Sequence, residues 1–251
     1  MSFNAYTNDR TYVHNMRAYN RIVSISKSFY DDLMMLHPEN SHKFAFIYNP
    51  IDIESIRNRS KNAPHPTDDA PYFVSVARLH QDKDHETLLL GFWQFIHNEN
   101  YPNVKLYLCG DGELRNHWEQ MAHNLRLDDY VVFAGNVTNP FGYVRGAMAN
   151  ILSTFGEGLP TVLIEAQALN TLNIASDVKS GVSEILMNGR AGLLFPAGDA
   201  ATLAKHMSDV YHRRINIKQH IKNAEQNLDR FACKKIILEL DNLFKKVINE
   251  K

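Results

Sequence analysis

From Pro71 onward the chain alternates short, almost wholly apolar runs with longer stretches of helical period. A strand without polar alternation must be covered on both faces, which is the condition of a central parallel sheet with helices packed on either side. The runs are Tyr72 to Ala77, Val104 to Cys109, Tyr130 to Ala134, Asn150 to Thr154, Leu172 to Ala175 and Gly192 to Phe195. Helical spacing between them predicts helices over His85 to His97, Glu113 to Leu125, Thr161 to Leu169 and Ser180 to Asn188, with a longer helical tail after Asp199. The implied fold is a doubly wound α/β domain with a Rossmann-like parallel sheet.

The first seventy residues behave differently. Arg21 to Ser26 reads as a strand, Lys27 to Leu36 as a helix, and Lys43 to Tyr48 as a second strand running into Asn49-Pro50-Ile51-Asp52. Arg57 to Ala70 is polar, contains Pro64 and Pro66, and has linker composition. Two strands and a helix cannot bury a core of much size. Residues 1–56 therefore read as a partial N-terminal α/β unit, 57–70 as a linker, 71–229 as the ligand-binding domain and 230–251 as a closing helix.

Composition narrows the class of partner. With 44% hydrophobic and 22% charged residues, disordered, collagenous and disulfide-scaffold readings drop out. The 27 cationic residues balance 28 acidic ones, so no bulk field draws nucleic acid. Cys109 and Cys233 lie outside any CxxC or Cys/His cluster, which disfavours structural zinc and points to a reducing, cytoplasmic setting. No two histidines stand three or four positions apart, so no metal is expected. The N-terminus lacks a signal-peptide pattern, and no apolar run approaches the ~20 residues of a membrane span. Tyr211 to Lys222 mixes isoleucines with Arg and Lys; the wet face of a helix is the favoured reading, and peripheral contact with the inner face of a membrane the other.

In an open parallel sheet, ligands bind beyond the carboxyl ends of the strands. After the first strand stand Arg78 and Lys83, two cations five positions apart. After the second comes Gly110-Asp111-Gly112, after the third Gly135-Asn136, and after the fourth Gly156-Glu157-Gly158-Leu159-Pro160-Thr161, leading to Glu165. The glycines permit a tight loop, Pro160 suits the first position of a helix, and the helix N-terminus is a ready anion site. Glu165 stands in an otherwise apolar helix, where a carboxylate is costly without partners; a sugar diol would supply them, and so would protein donors. Taken together these groups complement a nucleoside diphosphate sugar, with Arg78 and Lys83 on the diphosphate, Glu165 on the ribose diol and Glu157 on the sugar hydroxyls.

The series Val76-Ala77-Arg78-Leu79 with Lys83, Leu108-Cys109-Gly110-Asp111-Gly112, Val132 to Gly135, Glu157-Gly158-Leu159-Pro160 through Glu165-Ala166, and Gly192 to Pro196 resembles the C-terminal donor domain of a GT-B, family 4 retaining glycosyltransferase. The resemblance runs from about Tyr72 to Ala204, and Arg21 to Ser28 with Ile47 to Asp52 is similar to the end of that family's N-terminal domain. It implies transfer of a sugar from a nucleotide-diphosphate donor, UDP-linked by expectation, to a polysaccharide, lipopolysaccharide or lipid-linked acceptor, with no cofactor and no metal. It assigns Arg78 and Lys83 to the diphosphate, Glu165 to the ribose, and Glu157 to catalysis at the sugar. Gly156, Gly158, Leu159, Pro160 and Thr161 would form the sugar loop, and Gly110, Asp111, Gly135 and Asn136 the nucleotide loops. Asn170-Thr171-Leu172 departs from the family's Gly-x-Pro, and Ser180-Gly181 from its paired glycines. Most of the family's acceptor domain has no counterpart in the sequence. The alternative reading is therefore a donor-binding module inactive alone, completed by a separate acceptor-domain subunit or by a homodimer.

Overall fold

The computed structural model describes residues 18–250. An N-terminal unit comprises β1 (Ile22–Ser24), α1 (Lys27–Leu36) and β2 (Phe44–Phe46), with the two strands parallel. The predicted second strand is shorter than its apolar run because Pro38–Lys43 coil into a 3-10 turn. Helix α2 (Ile53–Ser60) then crosses to the main domain, its N-terminus capped by the Asp52 carboxylate, which accepts from Ser55 N at 2.9 Å. Residues 57–60 thus belong to a helix and not to a linker, a correction to the sequence reading. Ile56 and Ser60 are buried there, so the polar composition of Arg57–Ala70 hid an amphipathic last turn.

The main domain alternates β3 (Tyr72–Val76), α3 (His85–Asn98), β4 (Lys105–Cys109), α4 (Arg115–Asn124), β5 (Val131–Gly135), α5 (Phe141–Gly146), β6 (Ala149–Leu152), α6 (Thr161–Ala168), β7 (Asn173–Asp177), α7 (Gly181–Ile185) and β8 (Leu193–Pro196). The six strands are parallel and ordered β5-β4-β3-β6-β7-β8. This is the doubly wound, Rossmann-like arrangement, and the chain reverses direction across the sheet between β3 and β6. Successive strand residues divide between two cores. Phe73, Leu106 and Leu108 face α3, α4 and α8 (Ala200–Tyr211) on one side; Val74, Tyr107 and Cys109 face α5, α6 and α7 on the other. Burial pushes the Cys109 thiol up to about 12, which leaves it a packing residue and not a nucleophile.

Helix α8 ends where Arg213 turns left-handed, and α9 (Ile217–Leu228) follows. Tyr211, Ile215 and Ile217 turn onto the core, which leaves the Arg and Lys side chains of this stretch exposed. The closing helix, α10 (Cys233–Asn249), is tied to Ile51 by a short parallel bridge and buries Ile236, while Ile237, Phe244 and Ile248 remain exposed.

His85 opens α3 with 1% exposure and lies against Trp118, ring centroids 5.9 Å apart. Burial first, and then the charge of Lys83, depress its imidazole from 6.5 to about 4, against an opposing pull from Asp82. The unfolded chain therefore binds a proton that the folded one refuses, so stability is lost as pH falls through this window. Chemical denaturation should show a slope from this residue of at most ~1.4 kcal/mol per pH unit, which His85→Gln flattens. An unchanged slope in that variant would place the titration elsewhere.

Candidate functional site

The carboxyl ends of β3, β4 and β5 are bound to one another by backbone. Ala77 N donates to Cys109 O at 3.1 Å, Leu79 N to Asp111 O at 3.0 Å, and Gly110 N to Gly135 O at 2.8 Å. A Cβ on Gly110 would lie 1.9 Å from Ala77 O, and one on Gly112 would lie 2.4 Å from Leu79 O. These glycines are required by neighbouring protein backbone, whatever else they admit. Arg115 reinforces the junction: its guanidinium donates to Phe133 O at 3.2 Å and pairs with Asp111 at 3.6 Å and Glu119 at 2.8 Å. Sequence reasoning missed Arg115, whose only signal was its position two residues into the segment after Gly110-Asp111-Gly112-Glu113. Gly135 takes φ 72°, while Asp111 and Asn136 are exposed around this surface.

Residues Gln81–Lys83 form a 3-10 turn capped by His80. His80 Nδ1 hydrogen-bonds the Asp82 carboxylate, and its Nε2 stands 3.5 Å from Glu113. Burial alone would raise the Asp82 carboxyl; the His80 hydrogen bond and the charges of Lys83, His80 and Arg78 outweigh it, and the net direction is down. The backbone of the turn is then fastened across the switch point. Thr154 Oγ1 and Phe155 N donate to Asp82 O, each at 3.0 Å, and Ser153 Oγ donates to Lys83 O at 3.1 Å. Ser153 and Thr154, read from sequence as the end of the fourth strand, leave the ladder to make these bonds.

Held in this way, Lys83 Nζ meets Glu157 Oε1 at 2.5 Å, with the two side chains only 15% and 13% exposed. Sequence reasoning gave these residues separate duties; the structure joins them as an ion pair. Arg78 is exposed and forms no ion pair with any described residue, although its charge acts on Asp82. A side chain at Gly156 would meet no atom within 4 Å, so the loop faces open space. Gly158 packs towards Ile25 and Phe29 of the N-terminal unit, and its carbonyl accepts from Gly181 N at 3.0 Å.

Leu159 is buried, and Pro160 caps α6, one position earlier than the sequence placed it. Thr161 begins the helix and hydrogen-bonds Glu165, one turn on. Burial pushes the Glu165 carboxyl up, while Thr161 and the charge of Arg59 pull the other way without reversing the shift. Both departures from the family pattern have local substitutes. Asn170 adopts φ 57°, the left-handed conformation for which glycine is the usual choice, and Thr171 Oγ1 donates to Val144 O at 2.9 Å. Ser180 caps α7 by accepting from Val182 N at 3.1 Å, and Gly181 keeps the close approach to Gly158 that a Cβ would block at 2.8 Å. Among the described residues, no group of three or more His, Cys, Asp or Glu side chains is arranged to hold a metal ion.

The doubly wound sheet, with cations and carboxylates at its switch point, defines a Rossmann-like α/β domain. Residues 70–213 match the model of the Glycosyl transferases group 1 family, and the chain belongs to that family. An uncharacterized glycosyltransferase of Methanocaldococcus jannaschii is 36% identical over 118 residues, covering 47% of this chain and 29% of that protein. A diphospho-undecaprenol 4-α-N-acetylgalactosaminyltransferase of Campylobacter jejuni is 27% identical over 173 residues, covering 69% and 46%. The chain thus spans less than half the length of either relative. Its fold is that of HepE from Anabaena, crystallised with UDP and glucose, at a TM-score of 0.78 and 17% identity over 92% of this chain and 67% of that one.

The Lys83–Glu157 pair generates a test. Removing one partner strands the other's charge at low exposure, so Lys83→Met or Glu157→Gln alone should each cost about 1–3 kcal/mol in urea denaturation. The double variant should recover part of that loss, because neither charge is then stranded. Additive costs would show that the pair is not coupled in solution.

Proposed function

We propose that this chain binds a nucleotide-diphosphate sugar at the β3–β6 switch point and transfers the sugar, with retention, to a glycan or lipid-linked acceptor. The observation that carries the reading is an exposed Arg78, without an ion-pair partner among the described residues, beside a half-buried Lys83–Glu157 pair at the place where the sheet order reverses. HepE's complex with UDP and glucose and the undecaprenol-linked chemistry in the name of the Campylobacter relative support the choice of donor and acceptor class.

In this reading Arg78 takes the diphosphate in bidentate fashion and Lys83 exchanges Glu157 for a phosphate oxygen. The sugar hydroxyls then donate to Glu157, so both ends of the pair regain partners. The ribose diol donates to Glu165, which favours its charged form against burial. Charge building on the leaving diphosphate is offset by the two cations and the N-terminus of α6, so transfer is metal-independent. A leaving-group oxygen accepts the acceptor's proton as the new glycosidic bond forms on the face the diphosphate vacates. No helix among the described residues is long and apolar enough to cross a membrane.

Arg78→Ala should weaken binding of UDP-glucose in calorimetry by about tenfold or more, a loss of ~1.4 kcal/mol, with the melting temperature nearly unchanged because the side chain is exposed. Glu165→Gln should separate binding from stability. The folded-state carboxyl is raised, so its contribution to stability is present at acid pH and is lost as pH rises through that raised value. At neutral pH the Gln variant should therefore be at least as stable as the parent while binding the donor more weakly. Full affinity in both variants across a panel of UDP- and GDP-sugars would sink the reading, and abolition of transfer by EDTA would overturn its metal independence.

A further inference from the structure

We propose that Glu184 of α7 is a positioning residue for the donor's sugar: by accepting from the Lys27 amide and the Tyr48 hydroxyl of the N-terminal unit, it holds that unit against the loop that carries Glu157. The inference rests on the donor reading above and deepens it with Lys27 and Tyr48, which lie outside the segment that matches the family model.

The Glu157 loop is fixed at its entry and its exit. At the entry, Gly156 N donates to Thr154 Oγ1 at 3.2 Å. At the exit, Gly158 O accepts from Gly181 N at 3.0 Å, and a Cβ on Gly181 would stand 2.8 Å from the same oxygen. The first residue of α7 therefore sets where the loop leaves. The N-terminal unit covers this exit from the other side, since a Cβ on Gly158 would lie 3.5 Å from Ile25 Cδ1 and 3.9 Å from Phe29 Cε2.

Glu184, almost one turn beyond Gly181, ties the two sides together. Lys27 N donates to its Oε2 at 3.0 Å and its Oε1 at 3.3 Å, and the Tyr48 hydroxyl donates to Oε1. Lys27 is the first residue of α1, so its amide has no acceptor within the helix, and the Ser26 side chain does not cap it. The Tyr48 ring is held edge-on against Phe46 and Phe231, each at 4.7 Å between centroids, and Arg230 donates to Glu184 O at 2.6 Å. A second tie between α1 and the loop before α7, Lys179 to Asp32 at 2.7 Å, has its lysine 72% exposed and contributes little. In the donor reading, Arg78 and Lys83 hold the diphosphate and Glu165 the ribose, all from the main domain. Only the sugar lies on the loop that this junction confines. Opening the junction leaves the UDP contacts in place and adds an ordering cost to the binding of the sugar.

The test is calorimetric titration of UDP-glucose and of UDP into parent, Glu184→Ala, Lys27→Pro, Lys27→Ala and Tyr48→Phe proteins, with melting temperatures as a check on folding. Proline is well tolerated at the first position of a helix, and Ser26 already has the extended backbone (φ −135°, ψ 148°) favoured before proline. Lys27→Pro therefore removes the N–H that Glu184 accepts, whereas Lys27→Ala keeps it and removes only a side chain that pairs with Asp31 in solvent. UDP-glucose affinity should fall by about threefold to tenfold in Glu184→Ala and Lys27→Pro, by less in Tyr48→Phe, and not at all in Lys27→Ala, with UDP affinity within about twofold of the parent throughout. Should Glu184→Ala fail to fold, Lys27→Pro and Tyr48→Phe carry the test. Losses of the same size for UDP and UDP-glucose assign Glu184 a general packing role and overturn the inference. Unchanged UDP-glucose affinity in Lys27→Pro, or an equal loss in Lys27→Ala, overturns it as well; each of these results leaves the donor reading standing. Failure of the parent to bind UDP-glucose overturns the UDP-donor reading and the inference with it.

Discussion

Three hydrogen bonds across the switch point hold the site together: Ser153 Oγ to Lys83 O, and Thr154 Oγ1 and Phe155 N to Asp82 O. Where a doubly wound sheet reverses its order, the adjacent chains leave for opposite faces, and the loops between them have no ladder to satisfy their carbonyls. The polar end of the β6 segment meets that need. Lys83 and Glu157, 74 positions apart in the chain, are consequently delivered to one another. Without these bonds the two charges would sit on independent loops and each would turn to water.

A second constraint acts on the same loop from the N-terminal unit. Glu184 of α7 accepts from Lys27 N at 3.0 Å, at the start of α1, and from the Tyr48 hydroxyl. Burial, followed by that hydrogen bond, drives the Tyr48 phenol well above its ordinary range, so it stays a donor. Arg230 donates to Glu184 O at 2.6 Å and stacks over Phe231, while Lys179 pairs with Asp32 at 2.7 Å. Glu184 supplies the N-terminal cap that the Ser26 side chain does not give α1. Gly158 lies between this junction and α6, so the loop that carries Glu157 is confined from both sides.

Much of this was legible in the sequence because burial leaves a plain record there. Strands covered on both faces cannot alternate, and all six were found within a few residues of their observed bounds. The candidate site residues could be picked out because cations, glycines and carboxylates collect after those strands. Strand ends were less so: Ser153 and Thr154 have strand-like neighbours, and only the loop opposite explains why they leave the ladder. The end of the crossing helix was hidden by composition, since RNRSKNAPHP reads as linker until Ile56 and Ser60 are seen to be buried. Arg115 and the Lys83–Glu157 pair depend on distances that no spacing encodes.

The pair also bears on what kind of ligand can bind well under the proposed reading. Each charge keeps its low exposure only while the other compensates it. A bare diphosphate that captures Lys83 would leave Glu157 with no cation and no hydroxyl. A free sugar that captures Glu157 would leave Lys83 equally stranded. An intact nucleotide sugar replaces both partners at once, with phosphate on the lysine and hydroxyls on the glutamate. The net electrostatic exchange is then small, and Arg78, which has no ion-pair partner among the described residues, adds its own attraction for the diphosphate. Selectivity for the intact donor would in this way follow from the need to satisfy two half-buried charges together, with no added specificity contact.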